Sequence, residues 1–270
     1  MSNKFLPAAI SRPLLTILPL LALTACTKVI DLKVRNADEQ YVIEGNITDR
    51  PGPYTITVSR TDTFNSSYQF QGVGGANVSV QDNAGNSETL KETQPGIYQT
   101  AAMTGVEGRT YSLKITANGH TFTSSSTMPS RVNFDSLYVR EIFNISKTVK
   151  AAVPVFTDPR GQGNAYRFNQ YINGRLDKSL YYENDDFTDG LVSSWALLQP
   201  DPDSTLHLND QVEVDMQCID QPIYKYWFSL DQSSNGNGNS IPSNPVTNIL
   251  GGALGYFSAH TSQTRMLLVK

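Results

Sequence analysis

The sequence predicts a mainly β protein with an immunoglobulin-like or carboxypeptidase-regulatory-like β-sandwich at its N-terminal side, followed by a second β-rich domain with one short helix. Three observations predict this. Short segments alternate apolar and polar residues, turn signals rich in Gly, Pro, Asn and Asp separate them, and only 17% of the 270 residues are charged. Alternation with period two places one side of a strand in a core and the other in water.

The sandwich is predicted over residues 40–129. A strand over 41–47 and a strand over 54–59 flank the turn at 48–53, so these two strands are expected to form a hairpin. Further strands are predicted over 76–81, 88–92, 96–100, 109–116 and 121–127. Short strands spaced in this way are typical of a Greek-key sandwich. Pro129 cannot donate to a ladder, and it places a domain boundary near residue 130.

The second β-rich domain is predicted over residues 130–270. Its expected strands cover 133–143, 147–156, 165–172, 175–182, 191–198, 211–219, 253–259 and 265–269. One helix is predicted over 221–231, with Asp220 as its N-cap and Pro222 in its first turn. Ile223, Tyr226 and Trp227 lie on one face of that helix together with Leu230, so the helix is expected to pack on the second sheet.

The first 39 residues predict export and lipid attachment. Lys4 and Arg12 precede an apolar run that contains two prolines and is shorter than the roughly twenty residues of a spanning helix. Residues 23–26, Leu-Thr-Ala-Cys, resemble a bacterial lipobox. Residues 1–25 are therefore predicted to be a removable signal peptide, Cys26 to be the acylated residue that bears chains such as palmitate, and residues 26–39 to be a tether.

Charge and motif content argue against several classes of function. The net charge is −4 and no basic cluster is present, so nucleic acid is not expected as a partner. His120, His207 and His260 lack the paired spacing of a zinc site, and the nucleophile-elbow, phosphate-loop and dinucleotide motifs are absent from the sequence. Cys218 would be the remaining thiol, and a buried structural role is favoured over a nucleophile. No catalytic residue and no cofactor are predicted.

The acidic stretch over 183–190 is the main candidate for a metal site. Asp185, Asp186 and Asp189 are candidate Ca²⁺ ligands, with Gly190 permitting a sharp turn. Solvated turn residues are the favoured interpretation, because Phe187 falls where an EF-hand loop would need an oxygen ligand. Other loop carboxylates lie at Asp158, Asp201 and Asp203, and a hydrolytic carboxylate pair stays open, since its spacing is spatial.

Aromatic residues offer a second kind of candidate site. They could form a sugar- or peptide-stacking surface, although core or edge positions are favoured for most of them. The residues concerned are Tyr166, Tyr171, Tyr181, Tyr182, Trp195 and Trp227.

Several stretches together resemble one family. They are residues 26–31, 41–49, 51–59, 75–78, 95–98, 108–111, 158–159, 164–168, 185–187 with Gly190, and 251–259. Their content and order resemble a family of Bacteroidota outer-membrane lipoproteins catalogued as domain of unknown function family 4249, DUF4249. The resemblance implies a lipoprotein with an N-terminal sandwich. Members resemble proteins encoded beside TonB-dependent outer-membrane receptors, which implies an accessory role in uptake or surface assembly.

The expected function is that of a non-catalytic lipoprotein in the cell envelope, anchored to the outer membrane on a face that the sequence does not decide. It would be an accessory binding or assembly partner of a TonB-dependent transport system. Two alternatives stay open: a surface hydrolase that uses loop carboxylates, and an adhesin or structural surface protein.

Overall fold

The computed structural model describes residues 39–61, 70–144, 147–199, 201, 204–234 and 243–270. The predictions for the signal peptide, Cys26, the tether up to residue 38, and Asp203 lie outside these residues. All described residues belong to one compact unit. Within them, no helix has the length and apolar content needed to cross a membrane.

The described chain is mainly β, as predicted, with one α-helix. The strands are β1 Tyr41–Thr48, β2 Thr55–Arg60, β3 Gln71–Gly72, β4 Asn77–Asp82, β5 Ser87–Thr89, β6 Lys91–Gln94, β7 Ile97–Gln99, β8 Thr110–Ala117, β9 His120–Thr127, β10 Phe134–Asn144, β11 Lys147–Thr157, β12 Ala165–Ile172, β13 Arg175–Leu176, β14 Tyr181–Asn184, β15 Val192–Ser193, β16 Gln211–Cys218, β17 Ile249–Leu250 and β18 Leu254–Leu268. The helix α1 spans Gln221–Ser234, and a 3-10 turn spans Asp185–Phe187.

Two sheets enclose the first core. One contains β1, β2, β7 and β6 with β3 on β2, and the other has the order β17-β9-β8-β4-β5. Ile43 and Ile56 from the first sheet and Leu113 and Ile115 from the second are almost fully buried in one cluster. The alternating residues of these strands therefore fill a sandwich core, and β1 and β2 pair as the predicted antiparallel neighbours.

The predicted strand over 88–92 is divided. β5 pairs with β4 in one sheet, whereas β6 pairs with β7 in the other. The chain changes sheets at Leu90, whose side chain is buried and whose N–H donates to the carbonyl of Val78 at 2.9 Å. Because Leu90 is buried between β5 and β6, the alternation of residues 88–92 looks like that of one strand although it covers parts of two.

Strand β18 connects the two halves of the protein. Residues 254–260 pair in parallel with β1, and residues 261–268 pair antiparallel with β16. The large sheet consequently runs β13-β12-β16-β18-β1-β2-β7-β6. The sequence placed two strands here, over 253–259 and 265–269, and the break between them is wrong. The polar residues between the two predicted strands, 260–264, continue the strand because several of their side chains find hydrogen-bond partners. For example, the Ser262 hydroxyl donates to Asp215 Oδ1 at 2.5 Å. The domain boundary near residue 130 stays a prediction.

A three-stranded sheet, β10-β11-β15, covers the second core. Phe134 and Phe156 from this sheet pack in one cluster with Phe168 and Met216 from the large sheet. The core side chains of β12 and β16 alternate with side chains on the opposite face of the large sheet.

Two predicted strands of the second half are shorter than expected. The strand over 175–182 is interrupted between β13 and β14, because the carboxylate of Asp177 accepts hydrogen bonds from Ser179 N at 3.0 Å and Tyr181 Oη at 2.7 Å and so closes a turn. The strand over 191–198 is reduced to β15 and one isolated bridge between Ala152 and Leu197.

Helix α1 begins where the sequence predicts. Asp220 Oδ1 accepts from the N–H of Ile223 at 3.2 Å, and Oδ2 accepts from Ser126 Oγ at 2.8 Å and Thr127 N at 2.9 Å. The N-cap therefore also ties the helix to β9. Tyr226 and Trp227 are buried against Tyr256 of β18, so the predicted apolar face does pack on the large sheet.

Candidate functional site

The acidic stretch predicted as a site connects β14 to β15 and contacts the loop that follows β11. Asp185 is buried, and its Oδ2 accepts from the N–H groups of Gly163 at 2.7 Å and Asn164 at 2.8 Å. Asp189 Oδ1 accepts from the N–H of Gly161 at 2.7 Å. Asp185 and Asp189 thus connect the acidic stretch to the loop that follows β11 through hydrogen bonds.

Asp186 is oriented differently from its neighbours. It is exposed, and its Oδ2 accepts from Asn184 Nδ2 at 2.7 Å. Within the described ranges, no group of three or more His, Cys, Asp or Glu side chains has an arrangement that could hold a metal ion. The carboxylates of Asp185 and Asp189 are engaged in separate contacts, and the Ca²⁺ hypothesis stays a prediction.

Two further carboxyl groups lie behind this loop. Asp158 Oδ1 accepts from the hydroxyl of Tyr166, whereas its buried Oδ2 has no hydrogen-bond partner among the described residues. Burial, supported by the nearby Asp185, raises the pKa of Asp158. The Glu183 oxygens accept from Ser193 Oγ at 2.9 and 3.0 Å, and burial raises the pKa of Glu183. The sequence analysis named Asp158 as a loop carboxylate and placed Glu183 in the acidic stretch, but it did not predict that both would be buried near each other.

Raised pKa values make these carboxyl groups potential proton donors, which is the chemistry that a hydrolase uses. Asp158, however, is only 1% exposed and is hydrogen-bonded to a tyrosine that is itself buried. A substrate therefore has no direct access to it. The contacts of Asp158 and Glu183 connect β11, β12, β14 and β15, which gives both residues a structural role.

The outer side of the same segment exposes apolar side chains. Phe187 is 91% exposed, Leu191 58%, Val192 61% and Trp195 44%. We call these four residues the apolar loop. Gly190, inside it, has a φ of +73°, which favours glycine, and a Cβ there would lie 2.6 Å from Arg160 Cγ. Gly190 thus permits the turn between Phe187 and Leu191, and the hydrogen bonds of Asp185 and Asp189 fix the position of the segment.

Of the other candidate residues, Tyr181 contacts this loop, and Tyr166, Trp227 and Cys218 lie inside the fold. Tyr166 and Tyr181 belong to the second core, and Trp227 lies under the guanidinium of Arg167, 3.6 Å from the ring centroid. Tyr181 contacts Trp195 edge-on, with 6.3 Å between ring centroids. Cys218 is buried and free, and burial raises its pKa, in agreement with a structural role.

The three histidines lie in different surroundings. His260 is buried, and its Nδ1 is 2.9 Å from Ser258 Oγ. His207 is exposed, with Nδ1 3.6 Å from Asp210 Oδ2. His120 is exposed and stacks near Phe122. The three rings have different neighbours, and the absence of a zinc site stays a prediction.

Replacing Asp185 with alanine is expected to lower the free energy of unfolding by about 1 to 3 kcal/mol, because the N–H groups of Gly163 and Asn164 lose a charged acceptor. Asp186→Ala is the matched control, since this exposed neighbour accepts from one side chain, and its effect should stay within about 0.5 kcal/mol. Urea denaturation measures both values. Equal losses in the two variants would show that the loop contacts of Asp185 add no stability.

The fold defines a mainly β protein of two sheet-enclosed cores that share one long strand. A model of one family, described as "Domain of unknown function (DUF4249)", matches residues 27–266 of this chain. The match covers most of the chain, and the chain belongs to this family. No curated protein matches it.

Proposed function

We propose that this chain is a non-catalytic lipoprotein of the Bacteroidota outer membrane and an accessory binding partner of a TonB-dependent transport system. The observation that supports a binding role is the apolar loop, whereas the lipoprotein and transport parts rest on residues 23–26 and on the family resemblance. Four of the nine residues from 187 to 195 are large apolar residues with 44 to 91% of their surface in water. Grouped exposure of this kind is typical of a surface that another protein covers.

The loop has the physical properties of a binding element. Moving one large apolar side chain from water into an interface contributes about 1.5 to 3 kcal/mol, and aromatic residues are enriched in such contacts. The hydrogen bonds from Gly161, Gly163 and Asn164 to the segment hold its conformation before a partner arrives. Less conformational entropy is then lost on binding.

Non-catalytic function is preferred because the carboxyl groups near the loop are engaged within the fold. Asp185 and Asp189 bond to backbone N–H groups, Glu183 bonds to Ser193, and Asp158 is enclosed. Asp186 and Asp189 are exposed, but each already accepts a hydrogen bond, from Asn184 and from Gly161, and a surface hydrolase would have to use these two groups. An adhesin would use the same apolar loop on a different partner, and the recovery experiment below separates the two.

The anchor is the first part of the proposal to test. Cys26→Ser should abolish metabolic labelling with a palmitate analogue and release the protein from the membrane fraction, because acyl chains contribute about 0.8 kcal/mol per buried methylene. Cys218→Ser is the control, since Cys218 is the buried free cysteine, and it should leave labelling unchanged. Labelling that persists in Cys26→Ser would refute lipid attachment at this residue.

The apolar loop gives the second prediction. In Phe187→Ser/Leu191→Ser/Val192→Ser, we expect recovery of a TonB-dependent receptor with the tagged protein from solubilised membranes to fall at least about tenfold. The reason is that three apolar side chains, exposed in the free protein, would be buried against the receptor in the complex. The melting temperature should be unchanged, since these side chains are already exposed.

The matched control is Phe143→Ser/Leu208→Ser/Leu250→Ser, in which three equally exposed apolar residues on other elements are changed. It should recover the receptor as the wild type does. Wild-type protein that recovers no such receptor would overturn the transport role, and host glycan or matrix binding that depends on residues 187, 191 and 192 would then favour the adhesin.

A further inference from the structure

A second surface feature lies away from the apolar loop, where β18 passes from β1 to β16. A cleft of about 390 Å³ is lined there by three arginines: Arg50, Arg131 and Arg265. Arg50 follows β1, Arg131 precedes β10, and Arg265 lies in β18. The fold therefore brings together three cations from segments that are far apart in the chain.

Two of these guanidinium groups are held by the backbone through Nε. Arg50 Nε donates to the carbonyl of Ser262 at 3.2 Å, and Arg50 Nη2 donates to Thr264 Oγ1 at 2.9 Å. Arg265 Nε donates to the carbonyl of Phe134 at 2.5 Å, and its guanidinium carbon lies 5.7 Å from the centroid of the Phe134 ring. Anchoring at Nε fixes the plane of a guanidinium and leaves its outer N–H groups directed away from the anchor.

The charges in the cleft are not balanced within the described residues. Arg131 contacts the carboxylates of Asp49 and Glu107, the latter at 3.5 Å. Arg50 and Arg265 have no carboxylate partner in the described part of the chain. Together the three guanidinium groups and these two carboxylates carry a net charge of +1, and Arg50 and Arg265 are the cations of the cleft that are left to attract an anion.

We propose that this cleft binds a phosphate dianion, either inorganic phosphate or the phosphate monoester of a headgroup. Arg50 and Arg265, which have no carboxylate partner among the described residues, provide the positive charge that attracts the anion. A tetrahedral oxyanion offers acceptors in several directions, and guanidinium groups bind phosphate through paired N–H donors. Arg131, which also contacts Asp49 and Glu107, lines the third side of the cleft.

The experiment is calorimetric titration of the full-length protein in detergent with inorganic phosphate at pH 7.5, against sodium chloride of equal ionic strength. Arg50→Gln and Arg265→Gln should each weaken binding about tenfold or more, since each removes charged hydrogen bonds, and the double variant should abolish it. Arg265→Lys, which keeps the charge and loses the paired donors, should fall between wild type and Arg265→Gln. Arg140→Gln is the matched control, because Arg140 is exposed on β10 and does not line the cleft.

Thermal melts establish that each variant is folded. This is expected because the substituted residues, Arg50, Arg140 and Arg265, are exposed. Wild-type protein that binds no phosphate up to roughly 10 mM, or binding that Arg50→Gln and Arg265→Gln leave unchanged, would overturn the proposal. Soluble dioctanoyl phosphatidic acid, compared with dioctanoyl phosphatidylcholine, distinguishes the sources. Tighter binding of the monoester lipid than of inorganic phosphate assigns a headgroup, and equal or weaker binding assigns free phosphate.

Discussion

Gly255→Ala is expected to lower the free energy of unfolding by at least about 4 kcal/mol. Gly255 lies in β18 with a φ of +94°, and a Cβ built on it would be 2.0 Å from the carbonyl oxygen of Ile43. That oxygen belongs to the backbone of β1, which is paired on both sides, with β2 and with β18. Neither strand can move without breaking a ladder, so the clash must be relieved by disrupting the sheet.

Gly252→Ala is the control that separates steric overlap from backbone strain. Gly252 also has a positive φ, +87°, but no atom lies within 4 Å of its added Cβ. The free energy of unfolding of Gly252→Ala should fall by only about 1 kcal/mol, the cost of an alanine in a conformation that favours glycine. Urea unfolding of both variants gives the comparison. Similar losses at the two positions would mean that β1 and β18 are not packed as closely as described.

Acid should destabilise the protein in part through His260. Burial, together with the charge of Arg167, lowers the pKa of His260 to about 3 from its ordinary 6.5. The unfolded chain therefore binds a proton below pH 6.5 that the folded protein does not bind until about pH 3, and folding stability falls across this interval. With 1.36 kcal/mol per pKa unit, the loss on going from pH 7 to pH 3 amounts to roughly 5 kcal/mol.

His260→Gln should remove this component, because an amide does not titrate and can still hydrogen-bond to Ser258. The difference in unfolding free energy between wild type and variant should then shift by roughly 5 kcal/mol in favour of the variant between pH 7 and pH 3. The difference isolates His260 from the carboxyl groups, which titrate in both proteins. A wild-type profile in His260→Gln would contradict the burial of this ring.

Local patterns predicted most of the strands. The predicted strand over 165–172 has the bounds of β12, and the Asp220 N-cap marks the start of α1, because alternation and capping are properties of neighbouring residues. The parallel pairing of β1 with β18 had no such signal. Val42 and Leu254 are far apart in sequence, and a parallel ladder has no short turn that would reveal it.

The candidate site was predicted in part for the same reason. Asp185, Asp186 and Asp189 were found by their clustering, but the direction of each side chain depends on the loop that follows β11, which sequence does not place. Exposure of Phe187 and Leu191 was also not predicted, because apolar residues between strands resemble core positions. The arginine cleft was missed entirely, since its members come from three separate segments.

We expect the apolar loop to contact a TonB-dependent receptor in the native membrane. The most direct measurement of this contact is site-specific photo-crosslinking in intact cells with a photoreactive phenylalanine analogue at residue 187, and with the same analogue at residue 143 as the control, since Phe143 is also largely exposed. We expect a receptor adduct at position 187 and none at 143. An adduct of equal strength at both positions, or no receptor adduct at position 187, would contradict the claim.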